Sequence, residues 1–381
     1  MQIIKGKTTF DFIGKRKIAL FISSILNLSI IIGIAIFGFN LGVDFAGGTV
    51  VEVKFEKPIT AEGVREGAVK GGLKEPQVQG IGAAEENNFI LRMGGVTQLT
   101  VESEKAAEDA VRGLGEVISV TKNLDTGIIN VRFKAPVDPA VIKAAVIASG
   151  TGVTEVNKLG EADYQVKAEG MAERVKLALK TGLDNATFEV RRTDYVGPQV
   201  GKQLRNKGLM ALIWAMLFIL IYVAFRFDLK FGPGALVAMV HDVIMVSGYF
   251  LITRREFNLT SIAVLLTIIG YSINDTIVIY DRIREEMVKY KGKPLPEIIN
   301  IAVNDTLART ILTSGVTALS LIGLLIYGVG EIFDFAAAML LGIVVGTYSS
   351  VYIASPLVIW LDERQHEHEA SGGNIAKAKP A

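Results

Sequence analysis

Residues 259–280 read LTSIAVLLTIIGYSINDTIVIY, an apolar run that ends at Asp281. The run is long and apolar enough to cross the hydrocarbon core of a bilayer, about 30 Å thick, as a helix. Asp275 lies six residues before Asp281, which places it roughly 9 Å inside the predicted boundary at about 1.5 Å per residue. Because a charge at that depth is costly, it is typical of a functional group. The run therefore predicts a membrane span that carries an ionisable side chain.

Five further apolar runs of similar character predict an α-helical polytopic membrane protein with six transmembrane helices. The six runs are residues 18–39, 208–225, 234–252, 259–280, 310–327 and 335–361. A mean hydropathy of +0.40 agrees with this interpretation. The first run follows a basic cluster, as a signal peptide does, but it is too long and lacks a small-residue cleavage site. We therefore expect it to be an uncleaved anchor.

Composition excludes several classes of function. The chain of 381 residues has no cysteine and a formal net charge of +1. Without cysteine there is no disulfide framework, thiolate metal site or cysteine nucleophile. The near-neutral charge argues against a nucleic-acid binder, because such proteins usually carry a basic excess. We find no metal-ligand spacing, nucleophile with its base or nucleotide motif, and so expect neither enzyme activity nor a metal or cofactor.

Basic residues beside the runs predict that both termini are cytoplasmic. They cluster in residues 1–17 and in the link 281–309, whereas residues 328–334 contain none. The segment 40–207 must then lie on the other side of the membrane. The tail 362–381, rich in Gly, Ala and Lys, is expected to be a disordered cytoplasmic segment.

The segment 40–207 is predicted to hold two α+β units of the same design. Residues 48–121 read as β-α-β-β-α-β, and residues 127–192 repeat that order. The sequences FEKP at 55–58 and FKAP at 133–136 occupy matching positions. This order is typical of ferredoxin-like units, and we expect the segment to contact another molecule. The alternative is a chance similarity between two α+β stretches.

Polar residues within the apolar runs suggest proton carriage. His241 and Asp242 lie roughly 10–12 Å into the third run, entered from the same side as Asp275. Arg309 lies at the cytoplasmic end of the fifth run. The proton affinity of a buried carboxylate depends on its burial and on nearby charges, and Arg309 could supply such a charge. We interpret four residues as a proton pathway: Asp275, Arg309, Asp242 and Asn274.

Simpler interpretations of these residues stay open. Asp275 and Asp242 would only cap or cross-link helices, His241 would be a packing residue, and Arg309 would anchor the membrane interface. Beyond Arg309, Thr313 and Thr317 form a polar stripe at helical spacing. Gly342 and Gly346 are spaced for close helix packing.

Several motifs occur together in a characteristic order. They are NLGVDFAGGT at 40–49, DYVGPQVG at 194–201, HD at 241–242, IGYSINDTIVIYDRIRE at 269–285 and LARTILTS at 307–314. This set resembles the SecF members of the SecD/SecF family, in the resistance-nodulation-division (RND) superfamily. By that resemblance, Asp275 and Arg309 match the family's buried carboxylate and arginine. Asp44, Gly47 and Gly48 match the signature of its outer loop, to which we assign a structural role.

The resemblance implies an auxiliary subunit of the Sec translocase in the bacterial inner membrane. Such a subunit pairs with SecD beside the SecYEG channel, with YajC as a further partner, and uses proton flow to drive or complete preprotein export. The large domain would be periplasmic. A typical member has one outer unit, so the predicted second unit departs from the pattern. The alternatives are half of a proton-coupled RND efflux transporter for lipids or small molecules, and a membrane scaffold without transport.

Overall fold

The computed structural model describes residues 8–73, 76–81, 86–94, 101–123, 127–168, 171–184 and 186–365. The chain divides into two compact units, Leu41–Asn206 and the residues on either side of it. We call them the sheet unit and the helical unit. The predicted disordered tail lies outside the described residues from position 366 onward.

The described residues contain eleven α-helices. They are α1 (Arg16–Phe37), α2 (Val43–Ala46), α3 (Ala61–Lys70), α4 (Val101–Arg112), α5 (Pro139–Ala148), α6 (Met171–Gly182), α7 (Pro198–Arg226), α8 (Gly232–Thr253), α9 (Leu259–Lys289), α10 (Leu295–Tyr327) and α11 (Glu331–Ser349). A π-helical segment, Ser350–Ala354, follows α11, and the helical path continues to Gln365.

Six helical stretches are long and apolar enough to cross a membrane, as the sequence predicts. They are Ile13–Phe37, Gln199–Arg226, Gly232–Thr253, Leu259–Lys289, Leu295–Tyr327 and Glu331–Gln365. Their large exposed side chains include Phe21, Phe218 and Leu319. Apolar side chains that point outward along such helices suit a lipid environment, where no hydrophobic penalty applies.

The structure differs from the predicted loop 281–309, because most of that stretch is helical. Helix α9 continues to Lys289, and α10 begins at Leu295. Arg282 forms ion pairs with Glu286 on its own helix, at 2.8 Å, and with Asp305 on α10, at 2.6 Å. The charges therefore mark the end of the apolar run but not the end of the helix, since charged residues one turn apart stabilise helices.

The sheet unit contains two four-stranded antiparallel sheets. Their strands are β1 (Gly48–Phe55), β2 (Gln77–Ile81), β3 (Asn88–Gly94), β4 (Val117–Asn123), β5 (Ile128–Phe133), β6 (Val153–Lys158), β7 (Asp163–Ala168) and β8 (Phe188–Val196). The strand orders are β2-β3-β1-β8 and β4-β5-β7-β6. Each order is that of a β-α-β-β-α-β unit, so the prediction of two such units matches the observed sheets.

The division into copies 48–121 and 127–192 differs from the observed sheets. Strand β8 pairs with β1 over its whole length, from Gly48–Val196 to Phe55–Phe188. Strand β4 pairs with β5 instead. Helix α6 and strand β8 thus complete the first sheet, and α4 and β4 complete the second. The sequence repeat assigns each of these pairs to the other copy. The second unit, from α4 to β7, is inserted between β3 and α6.

Glycines at the contact between α3 and α6 explain this exchange. A Cβ atom at Gly71 would lie 2.0 Å from the carbonyl oxygen of Ala178, and one at Gly182 would lie 1.8 Å from that of Gly67. Only glycine permits the two backbones to come this close. Val175 and Leu179 of α6 consequently belong to the core of the first sheet, whereas Ala107 and Val111 of α4 belong to that of the second.

Candidate functional site

Asp275 lies where three helices of the helical unit meet. The residue is on α9 and is 3% exposed. The hydroxyl of Thr347, on α11, donates to Oδ2 of Asp275 at 3.4 Å. The same hydroxyl lies 3.1 Å from Oγ of Ser314, on α10. A single carboxyl group is therefore connected to both neighbouring helices through one hydroxyl.

Close packing of α11 on α9 positions Thr347. A Cβ atom at Gly342 would lie 2.3 Å from Cδ1 of Ile268, and one at Gly346 would lie 2.8 Å from Cβ of Ser272. The absence of a side chain at these two positions lets α11 approach α9. This is the arrangement by which small residues bring membrane helices together, and Thr347 follows directly after Gly346.

Asp242, on α8, lies in a separate polar cluster and is fully buried. Its Oδ2 accepts hydrogen bonds from the hydroxyls of Ser272 on α9, at 2.5 Å, and Ser349 on α11, at 2.8 Å. Its Oδ1 lies 2.9 Å from Nδ1 of His241. The carboxyl group thus connects three helices, which is the cross-linking role that the sequence left open for it.

His241 is buried beside Asp242, and its ring stacks 6.1 Å from that of Tyr348. Nε2 of His241 has no hydrogen-bond partner among the described residues. A further pair of hydroxyls, Thr276 and Ser350, lies 2.8 Å apart between α9 and the π-helical segment. Buried hydroxyls thus line the contact between α9 and the last membrane-spanning stretch.

Among the described residues, the side chains of Arg309 and Asn274 form no hydrogen bond or ion pair with Asp275. Arg309 is exposed, and it forms no ion pair with Asp275 in the part of the chain that the structure describes. Asn274 is also exposed, on a different face of α9 from Asp275. Adjacent residues on a helix point about 100° apart, so Asn274 lies outside both polar clusters.

The predicted threonine stripe bonds mainly to its own helix. The hydroxyl of Thr313 donates to the carbonyl oxygen of Arg309 at 3.1 Å, and that of Thr317 donates to Thr313 at 2.9 Å. Thr317 also accepts a hydrogen bond from the hydroxyl of Tyr271 at 3.4 Å. The stripe therefore lies beside the site without contacting either carboxyl group.

The outer-loop signature shapes the backbone at the start of the sheet unit. Asp44 lies in the short helix α2, and Gly47 and Gly48 follow with φ angles of 76° and 145°. Residues other than glycine rarely adopt such φ angles. A Cβ atom at Gly201 would lie 3.1 Å from the nitrogen of Gly47. These glycines accordingly turn the chain from α2 into β1 beside the beginning of α7.

Sequence reasoning missed the hydroxyl residues that surround the two carboxyl groups. They are Ser272, which bonds to Asp242, and Thr347, which bonds to Asp275 and to Ser314. Serine and threonine are common in membrane helices, so their presence carries little signal. Among the described residues, no cluster of three potential metal-binding side chains occurs.

Comparison with protein families gives a consistent result. The model of the C-terminal region of the protein export membrane proteins SecD/SecF matches residues 176–364. The SecD/SecF GG motif matches residues 32–59. The chain is 39% identical over 362 residues to the protein translocase subunit SecF of Magnetococcus marinus, covering 95% of each sequence. It is 34% identical over 365 residues to that of Rickettsia felis, covering 96% of each.

Solved structures of SecDF agree with the sequence matches. The crystal structure of SecDF from Thermus thermophilus, a translocon-associated membrane protein, aligns with a TM-score of 0.62 and 28% identity. This match covers 95% of the present chain but 40% of SecDF, so the chain spans less than half of that protein. A super-membrane-facing form of SecDF aligns with a TM-score of 0.54. The chain is a multi-pass membrane protein and belongs to the SecD/SecF family of protein export membrane proteins.

Proposed function

We propose that this chain is the SecF-type auxiliary subunit of the Sec protein translocase. In this proposal it pairs with a SecD subunit beside the SecYEG channel, and with YajC, and uses the proton motive force to drive or complete preprotein export. Relatives named SecF match along nearly their whole length. The match to 40% of SecDF leaves a remainder that a separate SecD subunit would supply.

The observation that carries the proposal is the position of Asp275. Its carboxyl group is buried in a membrane-spanning helix and, among the described residues, accepts a hydrogen bond from one hydroxyl, that of Thr347 on α11. A buried carboxyl group changes its net charge by one when it binds a proton. Such a change alters its attraction to Arg309 and its hydrogen bond to α11, and this biases the packing of the three helices.

The proposed location is the bacterial inner membrane, with both termini cytoplasmic and the sheet unit periplasmic. The basic residues beside the membrane-spanning stretches support this orientation. In this arrangement, proton binding at Asp275 is coupled to movements that act on exported chains. The proposed function makes and breaks no covalent bond, so the proposal includes no enzyme activity.

The proposal is tested by release of a pulse-labelled secretory protein from spheroplasts, with and without a proton gradient. Native chain and Asp275→Asn are compared at equal membrane levels with SecD co-expressed. We expect the variant to lose the gradient-dependent part of release. The matched control is Asp281→Asn, which alters an exposed carboxylate on the same helix that pairs with Arg226.

Equal release by native chain and Asp275→Asn would contradict a proton role for Asp275. Normal secretion in a depleted strain, with accumulation of drugs or lipids, would contradict the export function and support an efflux transporter.

A further inference from the structure

A chain of hydroxyl groups leads from Asp275 to α10. Thr347 Oγ1 lies 3.4 Å from Oδ2 of Asp275 and 3.1 Å from Oγ of Ser314. Thr347 and Ser314 come from different helices; Ser314 ends the LARTILTS motif at 307–314, whereas Thr347 lies outside the motifs that carry the family resemblance. The connection therefore depends on how the helices pack.

The charge of Asp275 determines the direction of both hydrogen bonds. An ionised carboxylate only accepts, so Thr347 must donate to it, and the hydroxyl oxygen of Thr347 then accepts from Ser314. A protonated carboxyl group has an O–H of its own and can donate to Thr347, which is then free to donate to Ser314. Proton binding at Asp275 can therefore reverse the bond that reaches α10.

Helix α10 has few other attachments in its apolar half. Leu321 is the one residue of the described stretch 311–327 that is buried. Among the described residues, Ser314–Thr347 and Thr317–Tyr271 are the side-chain hydrogen bonds that join this stretch to neighbouring helices. A change at Ser314 thus affects one of two polar links that hold the stretch.

The other ionisable groups nearby bond elsewhere. Asp242 and His241, on α8, are connected to Ser272 and Ser349 rather than to Thr347. Arg309, on α10, forms no ion pair with Asp275 among the described residues. Thr347 is therefore the described side chain through which Asp275 reaches a second helix by hydrogen bonds.

We propose that Thr347 is a positioning residue that ties the charge state of Asp275 to helix α10 through Ser314. The inference rests on the proposed proton-coupled function, and it assigns to Thr347 a role within that function. Ser314 lies five residues beyond Arg309 on α10, or about 7.5 Å along the helix axis. The same helix thus carries both the arginine of the proposed proton pathway and the hydroxyl group through which the hydrogen-bond effect reaches it.

The test compares Thr347→Val, Thr347→Ser and Thr276→Val in the full chain with SecD. Valine has the shape of threonine without the hydroxyl group, and serine keeps the hydroxyl group. Thr276→Val is the matched control, because it removes a buried hydroxyl that bonds to Ser350 rather than to a carboxyl group. All variants are compared at equal membrane levels in the gradient-dependent release assay.

We expect Thr347→Val to lower gradient-dependent release by about tenfold, the size of one hydrogen bond to a charged group. Thr347→Ser should restore most of it, and Thr276→Val should stay near the native value. Native release in Thr347→Val would overturn the inference. So would an equal loss in Thr347→Val and Thr276→Val, because that result describes a packing defect.

Infrared difference spectroscopy of the reconstituted protein gives an independent readout. The carbonyl band of protonated Asp275 is assigned by its absence in Asp275→Asn. We expect Thr347→Val to shift this band and Thr276→Val to leave it in place, and an unshifted band in Thr347→Val would overturn the inference. Failure of the proposed function is recognised separately, because Asp275→Asn would then retain full gradient-dependent release.

Discussion

Asp242 on α8 and Asp275 on α9 are both buried carboxyl groups of the helical unit, but their surroundings differ. Asp242 has two serine hydroxyls and the His241 ring within 2.9 Å. Asp275 has one threonine hydroxyl at 3.4 Å. Removing the Asp242 side chain would break bonds to three residues at once, whereas removing that of Asp275 would break one. The comparison shows that the first carboxyl group joins three helices, and it is consistent with our proposal that the second is the one that binds and releases a proton.

The largest expected effect comes from Asp242→Ala. The change leaves the hydroxyls of Ser272 and Ser349 and the ring of His241 without their shared partner. Since each unsatisfied buried group costs free energy, we expect the free energy of unfolding to fall by about 2–4 kcal/mol. Thermal unfolding in detergent measures this loss. Asp275→Ala, with one long bond to lose, should change stability by less than about 1 kcal/mol, and an equal loss in both variants would contradict the comparison.

A change in the packing that holds Ser272 against Asp242 is expected to have an intermediate effect on the free energy of unfolding. A methyl group at Gly346 would lie 2.8 Å from Cβ of Ser272, so Gly346→Ala should push α11 away from α9. Overpacking of this kind costs about 1–3 kcal/mol. The matched control is Gly315→Ala on α10, where no atom lies within 4 Å of the added group. Equal unfolding temperatures for the two variants would show that α11 is not closely packed there.

The smallest effect concerns a carboxylate of the sheet unit. Glu108 on α4 pairs with Arg112 at 2.7 Å and with Lys122 on β4 at 2.8 Å. The hydrogen bond from Lys122, and then that from Arg112, hold the pKa of Glu108 below its ordinary value of 4.5. A lowered pKa stabilises the folded state above the ordinary value, and this contribution is lost as the pH falls through the folded-state pKa.

Hydrogen exchange of the α4 amides, corrected for intrinsic rates, measures the contribution of Glu108. Between neutral pH and about pH 3, we expect Glu108→Gln to remove a pH-dependent part of the protection worth less than about 1 kcal/mol. Glu116→Gln, which alters a more exposed pair with Lys134, serves as the control. The same pH dependence in native chain and Glu108→Gln would contradict the role of this ion pair.

Hydropathy and periodicity predict much of the fold because they are local properties. Six apolar runs correspond to the six membrane-spanning stretches, since burial in lipid requires a continuous apolar segment. The motif around Asp275, residues 269–285, likewise lies within one helix, α9. The ends of α9 and α10 differ from prediction, because Arg282 finds partners on both helices and the charged stretch remains helical.

Which strands and helices pack against one another depends on contacts between distant parts of the chain. The repeated order of helices and strands predicts two similar units, but the close contact of Gly71 with Ala178 places α6 on the first sheet. The predicted proton pathway also includes Asn274 because it precedes Asp275 in the chain, but the geometry of the helix places Asn274 on an exposed face. Membrane-spanning segments and their buried charges are therefore readable from local composition. The pairing of strands, and the hydroxyls that surround each carboxyl group, arise from packing between elements far apart in sequence.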